Sequence, residues 1–96
     1  MVEIVTSKDV EASGELTAIC QEISSRGLTA SQWAELESCD QFQTNHWCGG
    51  YEATEQAFCF SLYLRSGEER WLSLTLQQIG SIAAGSAVAL QLRQPG

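Results

Sequence analysis

Cys39, His46, Cys48 and Cys59 are the side chains of this sequence that could be brought together for metal or thiol chemistry. A structural zinc site takes four nitrogen or sulfur ligands at about 2.0–2.3 Å, usually supplied by tight pairs such as two cysteines separated by two residues. Here the spacing is Cys-x₆-His-x-Cys, with the last cysteine a further eleven positions on. His46 and Cys48 would share one side of a strand and could share an ion, but no knuckle-like pair exists and Cys59 falls in a different strand. The thiols therefore read as fillers of small apolar gaps, a common use of reduced cysteine, and no metal site is assigned.

A thiol nucleophile needs a thiolate favoured by a nearby positive charge or helix start, together with a base. His46 is the lone histidine, and Cys48 lies two residues away. Residues i and i+2 of a strand are separated by roughly 6–7 Å, from the rise per residue. That is beyond hydrogen-bond reach, so the pair does not make a catalytic dyad and no catalytic residue is assigned. Gly49 and Gly50 lack the following Lys and the strand–loop–helix setting of a phosphate loop. Glu68 and Glu69 sit in a turn and read as solvated.

Two helical patterns flank Gly27, with Ile19, Ile23, Trp33 and Leu36 near the apolar positions of a helix-turn-helix. The segment that would read DNA carries Glu35 and Glu37 and no base, so phosphate repulsion opposes docking. A plain helical hairpin packed on a sheet explains the same residues.

Trp47, Tyr51, Tyr63 and Trp71 lie beside turns or on the less apolar side of strands. Trp and Tyr are enriched at protein interfaces. Together with Glu52 and Glu55 they form the expected contact set for another protein.

The elements that would position these residues can be read from periodicity. Val2–Thr6 is β-prone and suits an edge strand. Leu16, Ile19, Cys20 and Ile23 recur at helical spacing, which predicts a helix over 14–25, starting as early as residue 8, with Ser7 or Ser13 as cap and Gly27 as a left-handed stop. Thr29 and Gln32 form a capping box, with Leu28 and Trp33 placed as a hydrophobic staple, for a helix over 30–38. Residues 41–47 alternate and read as a strand broken by Gly49 and Gly50. Residues 58–64 and 71–74 alternate around a turn at 66–69 and predict an antiparallel hairpin. An odd loop, pairing Leu64 with Leu72 and Leu62 with Leu74, keeps both apolar rows on one face. A second capping box, Thr75 and Gln78, starts a helix over 76–84. Residues 88–92 alternate as a closing strand, and 94–96 should fray.

The architecture expected is thus a single α+β domain over 1–96: an N-terminal helical hairpin on a three- to four-stranded, mostly antiparallel sheet, with a short helix before the last strand. Ninety-six residues suffice to bury roughly two-thirds of the unfolded surface. With 44% apolar and 18% charged residues the chain should fold unaided. The charge is −7, and residues 1–56 hold ten acids against two bases. That balance disfavours a nucleic-acid backbone or an anionic membrane as direct partner. No stretch approaches the roughly 18 apolar residues of a membrane span, and no basic-then-apolar leader opens the chain, so a cytoplasmic location with reduced cysteines is expected. These observations favour a small acidic, non-enzymatic protein-binding module, an adaptor or regulator, without a cofactor and with a partner that could be basic. The first alternative is an antagonist whose carboxylates imitate nucleic acid and block a basic protein. The second is a small zinc- or thiol-dependent protein.

Overall fold

The computed structural model describes residues 2–38 and 40–95. Cys39 of the four-residue ligand set and Gly96 of the expected frayed tail lie outside the described residues. Among the described residues the order is β1 (Val2–Thr6), α1 (Ser13–Arg26), α2 (Ala30–Glu35), β2 (Phe42–Gln43), β3 (Trp47–Glu52), β4 (Ala57–Tyr63), β5 (Glu69–Leu74), α3 (Leu76–Ala83) and β6 (Ala89–Arg93). The fold is α+β, with one six-stranded antiparallel sheet ordered β1-β6-β5-β4-β3-β2. The sheet is larger than the three to four strands expected. No helix in the described residues is long and apolar enough to cross a membrane.

The additional strands come from segments in which the sequence pattern was interrupted. Residues 41–47 do not form one strand. Phe42 and Gln43 pair with Gly49 and Cys48, and Trp47 opens β3. Gly49 and Gly50 do not break β3 but lie inside it, because the chain packs too closely there for a side chain. A Cβ on Gly49 would overlap the Cys59 carbonyl and Phe60, and one on Gly50 would overlap the Ser38 carbonyl. β3 then turns through residues 53–56, with Gln56 at φ 52°, and pairs along β4 from Glu52↔Ala57 to Trp47↔Leu62.

The β4–β5 hairpin keeps its apolar rows on one face, as expected, but in a different register. Leu72 opposes Phe60, Leu74 opposes Phe58 and Leu62 opposes Arg70, in place of the leucine pairs expected. The loop is odd. Leu64 N–H donates to Glu68 O, Leu64 O accepts from Gly67 N–H, and Gly67 sits at φ 90°. This leaves Arg65, Ser66 and Gly67 as a three-residue turn closed by a positive-φ glycine, one of the common hairpin solutions. Arg70 occupies the place expected for an apolar residue. Its charge is met by Glu3 of β1, whose Oε1 accepts from Nε at 2.8 Å, and by Glu68 at 3.6 Å.

The helices also differ from a simple hairpin: α1 packs mainly against α3, and α2 lies against β3. Both capping boxes form, at Thr29 with Gln32 and at Thr75 with Gln78. Helix α2 stops at Glu35, short of residue 38, and Glu37 beyond it accepts from the Ala53 N–H at 2.6 Å. Neither Ser7 nor Ser13 caps α1. Ala12 holds the N-cap at φ 55°, and Ser7 is buried, with its hydroxyl accepting from Val88 N–H at 2.9 Å ahead of β6. Gly27 ends α1 in the left-handed conformation, as its position predicts.

All three helices cover one face of the sheet. Trp33, Phe42, Tyr51, Phe58 and Phe60 form an aromatic cluster there, with Trp33–Phe58 and Tyr51–Phe58 meeting edge-to-face at 5.0 and 5.1 Å. Each such pair contributes about 0.5–1.5 kcal/mol beyond its area burial. Among the described residues no helix lies over the other face.

Candidate functional site

Strand alternation decides which side chains reach the uncovered face. On β4 the core takes Phe58, Phe60 and Leu62, so Cys59, Ser61 and Tyr63 point the other way. On β5 the same rule turns Trp71 and Ser73 outward. Register aligns these positions into rows. Cys48, Ser61, Trp71, Arg93 and Val2 form one row across β3, β4, β5, β6 and β1, and Gly50, Cys59 and Ser73 form the next. Among the described residues, four of the five large apolar side chains that stay exposed lie on this face: Val2, Ile4 at 71%, Tyr63 at 46% and Trp71 at 49%.

The face is not flat. A concavity of about 590 Å³ opens over β4 and β5, with Cys59, Ser61 and Ser73 across its floor. Tyr63 and Trp71 stand at one end, and the Trp71 indole N–H donates to Glu69. Glu52 and Glu55, from the end of β3 and the β3–β4 turn, stand at the other. Arg93 borders it from β6 and reaches Ser73 Oγ at 3.5 Å. The Cys59 thiol is pushed up to about 11, first by burial and then by a hydrogen bond to Glu52 and the negative charges of Glu52 and Glu55. Both carboxylates thus act on the thiol at the floor of the concavity.

Of the six expected contact residues, the structure brings Glu52, Glu55, Tyr63 and Trp71 to this one concavity. Trp47 and Tyr51 are corrected: they are 0% and 2% exposed and belong to the core. They alternate with Gly49 on the helix-covered face of β3. Reading the two glycines as a strand break hid that parity. Trp47 uses its indole N–H for the fold, donating to Ala12 O at 3.0 Å. The expected contact set did not include Ser61, Ser73 and Arg93, nor Cys59, which was weighed only as a metal or thiol residue. Cys59, Ser61 and Ser73 already fell on the less apolar row of the hairpin, and that alternation was the signal available. Arg93 needed the pairing of β6 with β5, which no local pattern gives.

The metal and thiol candidates separate. His46 precedes β3 and is engaged by Glu15 of α1, with Nδ1 to Oε2 at 2.7 Å and its backbone N–H donating to Oε1 at 3.0 Å. Cys48 and Cys59 share the uncovered face as diagonal neighbours on β3 and β4, whereas Cys20 is buried on the core side of α1 and its thiol is pushed up to about 12 by that burial. Among the described residues no group of three His, Cys, Asp or Glu could hold a metal ion. Both thiols with raised values are also poor nucleophiles near neutral pH, since the thiolate is the reactive form.

No family model matches the chain, and neither a curated protein nor a solved structure does.

Proposed function

We propose that this chain is a small, non-enzymatic protein-binding module, an adaptor or regulator, that receives a basic segment of another protein on the uncovered face of its sheet. The observation that carries this reading is the concavity over β4 and β5, where half-exposed Trp71 and Tyr63 stand opposite Glu52 and Glu55. Trp and Tyr are enriched among the few residues that carry most of the contact energy in protein interfaces. The carboxylates favour a positively charged partner and steer its approach.

The carboxylates elsewhere weigh against a phosphate-imitating row. Glu15 is tied to His46, Glu37 to the Ala53 N–H, Glu11 to the Arg65 N–H and Glu3 to Arg70, so these charges are committed to tying the fold together.

The test is capture from native extract by the wild-type chain, the double variant Trp71→Ala/Tyr63→Ala, and Gln21→Ala as a control on exposed α1. The same protein should be retained by the wild type and the control and lost by the double variant. Equal retention by all three, or a partner released steeply by salt yet indifferent to Trp71→Ala, contradicts the reading. The latter outcome would favour the nucleic-acid-imitating alternative.

A further inference from the structure

The concavity is asymmetric in charge. Glu52 and Glu55 border it at the β3–β4 end and Tyr63 and Trp71 at the other, while Arg93 borders it from β6 with its guanidinium against Ser73, the cross-strand partner of Cys59. A positively charged group is therefore favoured at the β3–β4 end, on the side away from Arg93. The aromatic surface of Trp71 lies directly beside Arg93, its cross-strand partner, so a flat or apolar group suits the Trp71 end better than a second cation does. The volume, about 590 Å³, falls within the roughly 300–1,000 Å³ of clefts that hold small ligands.

We propose that the concavity is a cation-recognition site for a peptide: an arginine or lysine of an extended partner segment places its charged head between Glu52 and Glu55 at the β3–β4 end, while the residue beyond it lies on Trp71. This rests on the protein-binding reading and adds the chemistry and polarity of the bound segment. The two ends fix the direction, since a segment reversed end for end would carry its cation away from both carboxylates to the Tyr63 and Trp71 end. A second copy of the chain is a poorer occupant. It carries −7 overall and would bring its own carboxylates to an acidic cleft.

The experiment is a nuclear magnetic resonance titration of the full chain with three blocked peptides: acetyl-Arg-Gly-Leu-amide, its citrulline analogue, in which a neutral urea replaces the guanidinium, and the corresponding Glu peptide. The arginyl peptide should shift the amide signals of Glu52, Glu55, Cys59 and Ser73 and the Trp71 indole signal saturably. The citrulline peptide should bind more weakly by about three- to tenfold, the range for losing one partly exposed charge pair. Glu52→Gln/Glu55→Gln, whose own spectrum reports whether it is folded, should erase the difference between those two peptides. Equal binding of the arginyl and citrulline peptides, or shifts confined to the helix-covered side, overturns the proposal. So does a concentration-dependent dimer in sedimentation that Trp71→Ala abolishes. If the peptides fail while Trp71→Ala/Tyr63→Ala still loses the captured protein, the cation site falls and the protein-binding reading stands.

Discussion

Trp71 of β5 stands directly across from Arg93 of β6 on the one face of the sheet that no helix covers. A half-exposed indole in that position adds little to the core. Trp71→Ala should therefore leave stability within about 0.5 kcal/mol of the wild type, as for surface positions that close no buried network. Urea unfolding measures this. A loss above about 2 kcal/mol would make Trp71 a structural residue and remove it from the contact surface.

Glu15 clamps the β2–β3 turn to the start of α1 through both carboxylate oxygens. Its carboxyl is held below the usual range, first by the Thr44 hydroxyl and then, against some desolvation, by His46. A carboxylate depressed in the folded state binds its proton more readily when unfolded. Its contribution is therefore present above the ordinary carboxyl value of 4.5 and is lost as pH falls through the lower folded value. Glu15→Gln should destabilise by about 1–3 kcal/mol at pH 7, the usual cost of breaking a charged hydrogen bond. The gap between wild type and variant should narrow below pH 4. Thermal unfolding at pH 7, 5 and 3.5 checks this, and a constant gap contradicts it.

Cys59 reports the electrostatics of the concavity. With its thiol pushed up to about 11, alkylation at pH 8 should run at least about tenfold slower than for a free cysteine, because little thiolate is present. Removing the neighbouring charges with Glu52→Gln/Glu55→Gln should lower the thiol value and speed the reaction. Mass spectrometry of the modified peptide gives the rate. No acceleration would mean that the carboxylates do not face the floor.

Gly50 is irreplaceable for a steric reason, since the Ser38 carbonyl already occupies the space of a Cβ. Gly50→Ala should cost about 1–3 kcal/mol or more by overpacking, whereas Gly14→Ala, with open space around it, should not. Denaturant midpoints compare the two directly.

Elements whose signals are local were legible in the sequence. Both capping boxes, the Gly27 stop, the edge strand Val2–Thr6 and the shared apolar face of β4 and β5 depend on residues within a few positions of each other. What failed depended on distant partners. Gly49 and Gly50 look like a break until Ser38 and Phe60 are seen packed against them. The register of β4 with β5 turned on Arg70, which the core tolerates through Glu3, far away in the chain. The contact set divided on the same ground. Tyr63 and Trp71 belong to the strands whose parity was read correctly and stay exposed, whereas Trp47 and Tyr51 belong to the strand that was cut in two. Four residues that line the concavity were legible, but their gathering with Arg93 was not, because Arg93 reaches it through the β5–β6 pairing.

The most direct test of the binding face uses the tryptophans themselves. Trp33 and Trp47 are fully buried and Trp71 is half exposed, so acrylamide should quench chiefly Trp71, and Trp71→Phe should remove most of the quenchable emission. Saturation with the captured partner protein should shield Trp71 and abolish that quenching. Unchanged quenching in a fully formed complex would show that the partner sits elsewhere and would contradict the assignment of this face.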